Sequence, residues 1–204
     1  MNVVEKLKMT AREYLAAERQ NELKHEFFDG EAFAMAGGTR RHSRIGVNVA
    51  SVLNLRLAGK PCQVFNSDMR LKIEATGLYT YPDVQVACGR LRFEDEQEDT
   101  LLNPKIIVEV LSDSSAGWDR GRKFWHYRHL DSLTDYVLVS QDVWQVEHYT
   151  RQPDGNWLLE TLEGAKATLT LRSIKTQVRL TDLYMNTGLK PSIVKPSLNH
   201  HRKQ

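Results

Sequence analysis

From Ile106 to Leu111 the chain reads Ile-Ile-Val-Glu-Val-Leu, an apolar strand with one carboxylate inside it. Side chains alternate along a strand, so Glu109 shares a face with Ile107 and Leu111, while Ile106, Val108 and Val110 fill the other. A strand that is apolar on both faces belongs inside an α/β sheet. An ionised carboxylate there is costly unless it is paired, protonated or bound to a cation. Two side chains offer partnership: Asp83, in Tyr81-Pro82-Asp83-Val84, and Lys123, at the end of Asp119-Arg120-Gly121-Arg122-Lys123. Two acids on apolar strands, followed by a lysine on the next helix, suit a divalent cation and a phosphate ester. Magnesium favours this kind of oxygen donor set, completed by water and substrate phosphate. Taken singly, Asp83 fits an ordinary turn entering a strand, and Lys123 fits a helical ion pair with Asp119 four residues earlier.

The pattern around these residues predicts the rest of the fold. Thr10 and Glu13 form a capping box that opens a short helix through Ala17. Residues 25–36 read as a hairpin about Asp29-Gly30, with Phe27, Phe28, Phe33 and Met35 as core candidates. Ile45, Val49, Val52 and Leu53 recur at helical spacing, and Gly59-Lys60-Pro61 supplies the stop. Strands are expected over 62–73, 83–87, 105–111 and 136–139, and a helix over 118–130. A hairpin over 143–149 and 157–162 follows, then short strands over 168–171 and 178–180 and a last helical turn near 182–185. The strand–helix–strand unit over 105–139 predicts an α/β sheet with antiparallel hairpins at both ends.

A length of 204 residues predicts one domain, here 1–187. The remaining 188–204, with Lys190, Lys195, Arg202 and Lys203, is expected to be a disordered basic tail. No apolar run approaches the roughly 20 residues needed to cross a membrane, and residues 1–8 carry charges without an apolar stretch, so neither a span nor a secretory leader is expected. Cys62 and Cys88 lack any Cys-x-x-Cys spacing, which indicates neither a disulfide scaffold nor a zinc ribbon and fits a reducing, cytoplasmic setting.

The formal net charge of +2 does not by itself announce a nucleic-acid binder. Its distribution is uneven. An acidic stretch at 94–99 reads as a solvated loop, and Arg40, Arg41, His42 and Arg44 open the second helix behind Gly37-Gly38. That basic start suits a phosphate backbone docking at exposed amides, but it reads first as a solvated helix end. Asp68 is expected to pair with Arg70 or to sit near the acids, with a structural role ahead of a catalytic one. Asp113, Ser114 and Ser115 read as a turn and cap, because no serine–histidine–acid arrangement is visible. Trp125, Trp144 and Trp157 read as core or interface residues.

The order of these residues resembles the PD-(D/E)XK nuclease superfamily. More closely, and over nearly the whole chain to about Met185, the sequence resembles the Uma-type family of restriction endonuclease-like proteins. The resemblance is carried by Glu26 with Asp29-Gly30-Glu31, by Ser67-Asp68-Met69-Arg70, by Tyr81-Pro82-Asp83, by Val108-Glu109-Val110-Leu111-Ser112, and by Asp119-Arg120 with Lys123 and Tyr127. Leu111 stands where the superfamily usually has a lysine, and the resemblance moves that lysine to the following helix, nominating Lys123 over Lys105 and Lys72. It implies a restriction endonuclease-like mixed sheet flanked by helices. Asp83 and Glu109 would hold magnesium or manganese with the Val110 carbonyl. Glu26 would serve a second ion or a bound water, or stand as an exposed hairpin charge. Lys123 would orient water or offset phosphate charge, and His42 would face the site. DNA is the implied substrate and a homodimer the implied assembly. A catalytically idle nucleic-acid-binding or assembly protein on the same fold is the alternative, and a nuclease for RNA or branched DNA is the third reading.

Overall fold

A computed structural model describes residues 8–113 and 115–191. The N-terminal helix α1 (Ala11–Glu18) starts as its sequence predicts: the Thr10 hydroxyl accepts from the Glu13 amide, and the Glu13 carboxylate accepts from the Thr10 amide. Strands β1 (His25–Phe28) and β2 (Glu31–Ala34) close around Asp29 and Gly30, whose φ angles of 50° and 81° are the left-handed pair that a two-residue hairpin turn requires. The long helix α2 (Arg40–Arg56) buries Ile45, Val49 and Leu53 along one stripe.

The middle of the chain supplies β3 (Cys62–Asn66), β4 (Arg70–Ile73), β5 (Leu78–Thr80), β6 (Val84–Cys88), β7 (Thr100–Leu101) and β8 (Ile106–Leu111). A broken helical segment follows: α3 (Ala116–Trp118), a π turn (Asp119–Lys123) and α4 (Phe124–Tyr127). The remainder comprises β9 (Asp135–Ser140), β10 (Gln145–Arg151), β11 (Trp157–Glu163), β12 (Thr168–Leu171), β13 (Thr176–Arg179) and α5 (Leu180–Leu183).

One sheet has the order β11-β10-β9-β8-β6-β3, a second β2-β1-β5-β4-β7, and β12-β13 forms a third. β8 and β9 are parallel neighbours, connected through the helical segment, and the other pairs of the six-stranded sheet are antiparallel. The architecture is the expected mixed α/β one with hairpins at both ends, divided between two main sheets.

All six residues of β8 are buried, and its two faces serve different cores. Ile106, Val108 and Val110 pack with Ile45, Val49 and Leu53 of α2 and with Val178 and Leu183. Ile107 and Leu111 pack with Leu71, Ile73, Tyr127 and Tyr136. Glu109 projects into this second core, where burial is least compatible with a free charge.

Several expectations change. The strand expected over 62–73 is two strands in two sheets, separated by a turn at Ser67–Met69 where the Asp68 amide donates to the Asn66 side chain. Asp68 bonds to Lys24, not to Arg70, whose guanidinium instead donates to the Tyr81 hydroxyl and to Thr100. Phe33 is half exposed, because it lies on the outer strand of its sheet. The acidic stretch is an exposed loop over 95–98 as expected, but its ends are pinned: Glu94 accepts from Lys72 and Tyr79, while Asp95 and Asp99 clamp Arg19 at 2.7 Å each. Cys62 and Cys88 face each other across β3 and β6 as a disulfide, which overturns the reading of two unpaired thiols. Register, not sequence spacing, brings them together. Trp144 is core, Trp157 packs edge-on against Phe124, and Trp125 is exposed. Of the expected tail, Leu189 rests on the core with its carbonyl accepting from the Trp144 indole. Residues 192–204, and the Ser114 part of the expected turn, lie outside the described residues. No helix among the described residues is long and apolar enough to cross a membrane.

Candidate active site

β6 and β8 are neighbours with Val84 opposite Val108, so Asp83, at the entry to β6, comes beside Glu109 and Val110. The contact is reciprocal. The Asp83 amide donates to Glu109 Oε2 at 3.2 Å, and the Val110 amide donates to Asp83 Oδ2 at 2.7 Å. Both carboxylates open onto one cavity of about 310 Å³, which Glu26, His42, Asp119 and Lys123 also line.

The second oxygen of Glu109 is held from the helical side: Oε1 accepts from the Tyr127 hydroxyl at 2.7 Å and lies 3.1 Å from Lys123 Nζ. Lys123 is 9 % exposed at its side chain and serves three acids, standing 3.2 Å from Glu26 and 3.5 Å from Asp119 in addition to Glu109. The helical pair with Asp119 therefore exists, but as one contact of a hub. Glu26 reaches this hub from β1 and also accepts from Thr80 of β5. Asp119 is buried, and its place in the cavity went unread in the sequence, where its spacing to Lys123 was the available signal. Thr80 gave no signal at all.

The basic helix start divides. His42 turns inward, with Nε2 3.3 Å from Asp83 Oδ2. Arg40 turns toward the C-terminal segment, its guanidinium 3.5 Å from the Thr187 carbonyl. Arg41 and Arg44 stay exposed.

Four carboxylates thus surround one lysine and one histidine. Burial pushes Glu109 up to about 8, opposed by Lys123 and reinforced by the neighbouring Asp119 and Asp83. Burial also raises Asp119. Glu109, Glu26 and Asp119 hold Lys123 well above its usual value in spite of its burial, so the ammonium stays charged. His42 is raised, chiefly by its bond to Asp83.

A carboxyl whose pKa is higher folded than unfolded stabilises the fold fully below the unfolded value and loses that contribution as pH rises through the folded one. The metal-free protein is therefore expected to melt several degrees lower at pH 8.5 than at pH 5, at roughly 2–4 °C per kcal/mol. Thermal melts in a chelator check this, and a melting temperature flat across that window would contradict it.

A family model described as "Uma2: Putative restriction endonuclease" matches residues 11–182. The chain belongs to the Uma2 family. Two Synechocystis proteins, named uncharacterized protein sll1609 and uncharacterized protein slr1290, are 39% and 40% identical to this Uma2 chain over 167 residues. Those matches span 82% of this chain and 94% and 86% of the two relatives. A crystal structure of "a putative nuclease belonging to DUF820" from Anabaena variabilis superposes with a TM-score of 0.69 at 19% identity, covering 86% of this chain and 97% of that one. The Uma2 chain therefore shares the fold of that protein.

The donors present fit a hard divalent cation. Among the described residues no three histidine, cysteine or acidic side chains cluster as a ready-made metal centre. Two carboxylates in a cavity that Val110 also lines nevertheless match magnesium, which commonly takes one or two protein carboxylates and completes its shell with water and phosphate oxygen.

Proposed function

We propose that this Uma2 chain is an endonuclease hydrolysing DNA phosphodiester bonds with magnesium or manganese, acting as a pair of chains. One observation carries the reading. Asp83, at the entry to β6, and Glu109, within β8, are held together, the Glu109 carboxylate by the Asp83 amide and the Asp83 carboxylate by the Val110 amide, beside a buried lysine in a cavity with more carboxylates than cations. A buried excess of negative charge is costly unless protons or a cation offset it.

Asp83, Glu109 and the Val110 carbonyl would hold the cation. Bound there, it supplies Lewis acidity toward a phosphate oxygen and lowers the pKa of its water. Lys123 sets a permanent positive charge where a phosphate gains negative charge in the transition state. Glu26 and Asp119 position that ammonium, which favours Glu26 as a lysine-orienting acid over a ligand of a second ion. His42, at the mouth beside Asp83, is suited to meet the incoming phosphate, with Arg41 and Arg44 on the outer turn of α2.

Titration calorimetry tests the site. Magnesium is expected to bind the wild type with one ion per site and to lose most of its affinity in Glu109→Gln. Equal binding by both proteins would refute the assignment. One observation favours the idle reading: both oxygens of Glu109 are already satisfied within the protein. For a binding protein without catalysis, DNA binding would be salt-sensitive, independent of cation and unchanged in Glu109→Gln.

A further inference from the structure

A larger cleft, of about 990 Å³, lies away from the acid cavity, between the C-terminal end of α2 and the β12–β13 hairpin. Arg56, Lys60, Arg172, Lys175 and Arg179 line it with threonine hydroxyls, and no acidic side chain among the described residues does. Arg179 is paired with Asp182 at 2.9 Å. The side chains of Arg56, Arg172 and Lys175 are exposed and make no ion pair or hydrogen bond among the described residues. Lys60 is held in place without being neutralised: its ammonium donates to the carbonyls of Ile174 and Lys175 and to the Thr176 hydroxyl at 3.0–3.2 Å. A local excess of positive charge thus gathers in one cleft of a chain whose formal net charge is only +2.

Two further features point to a ligand. Lys175 sits at φ 51°, a left-handed conformation that disfavours a long side chain, so the fold holds a cation at a backbone position suited to glycine or asparagine. Among the described residues the lining has no aromatic ring on which a base could stack, and Leu171, its apolar member, is fully buried. Open, cationic, hydroxyl-bearing walls without a stacking platform or an apolar rim match a phosphodiester backbone, not a mononucleotide or a bilayer.

We propose that this cleft binds the phosphate backbone of DNA as a second contact separate from the acid site. His42, at the acid site, and Arg56, at the cleft, are fourteen residues apart on α2, which is about 21 Å along the helix axis. A duplex rises about 3.4 Å per base pair, so the cleft meets DNA roughly six base pairs from the acids when one duplex reaches both. The cleft needs no cation and does not require the acids to be catalytic.

The test is DNA binding in a chelator, read by anisotropy with a 30-base-pair duplex over a salt series. The variant carries Arg56→Gln, Arg172→Gln and Lys175→Asn, the last keeping a residue that tolerates the left-handed backbone. Affinity is expected to fall at least tenfold, and the log–log salt slope by roughly three, about 0.9 for each phosphate no longer neutralised. Magnesium titration should be unchanged, which separates this proposal from the catalytic reading. Unchanged affinity and slope would overturn it. So would cleft-dependent binding of inorganic phosphate, or of phosphatidylserine vesicles, by a protein whose DNA affinity the substitutions leave intact.

Discussion

Asp83→Ala and Glu109→Gln are each expected to lower magnesium-dependent DNA cleavage by about 1000-fold or more, with the far-ultraviolet circular dichroism remaining native. The size follows from what is removed. Charge stabilisation by a bound cation is worth several kcal/mol at the transition state, and each 1.4 kcal/mol is a factor of ten. The two substitutions reach the same cavity from different strands, since Asp83 precedes β6 and Glu109 lies within β8. Glutamine at 109 keeps the shape of the carboxylic acid and can still accept from Tyr127 and Lys123, so loss of cleavage without loss of structure is the expected pattern. Plasmid nicking assays with each variant, at matched melting temperatures, decide the point. Full cleavage by both variants would end the nuclease assignment.

Lys123→Met is the larger perturbation to the fold itself. Methionine preserves length and apolar volume but leaves Glu26, Glu109 and Asp119 without the ammonium they share. Removing one partner from a buried ionic cluster typically costs about 3–5 kcal/mol. That would lower the melting temperature by roughly 10 °C in a protein of this size. The loss should be smaller at pH 5 than at pH 8, because Glu109, pushed up to about 8, is protonated at the lower value and no longer needs the cation. Urea titrations at the two values measure both the loss and its pH dependence. A destabilisation below about 1 kcal/mol, or one equal at both values, would mean that the lysine is not the counter-ion of this core.

What the sequence revealed tracks where burial is written into residue type. β8 was legible because six consecutive side chains have no polar face except at Glu109, and that exception pointed at the site. The β1–β2 turn was legible because Asp-Gly is a local device. Residues 62–73 misled because the change of sheet happens at Ser67–Met69, where side chains bonding their own backbone leave no gap in hydropathy. The cysteine pairing depends on cross-strand register, and the clamp of Arg19 by Asp95 and Asp99 spans about eighty residues. Neither leaves a local trace. Asp119 and Thr80 joined the site for the same reason, through tertiary placement that no short window contains.

The helical segment after β8 was expected as one regular helix and is instead interrupted by a π turn carrying both Asp119 and Lys123. A widened turn is one residue longer than the helix around it. Excising a single residue there would rotate everything downstream by about 100°, carrying Tyr127 away from its acid while Asp119 stayed put. Homologues that have lost or gained that residue would keep their strands in register yet present a different side chain to the cavity. Searching such sequences for a lysine at a fixed offset from the strand glutamate would pass over members that keep the cavity lysine, whereas allowing the offset to slip by one would recover them.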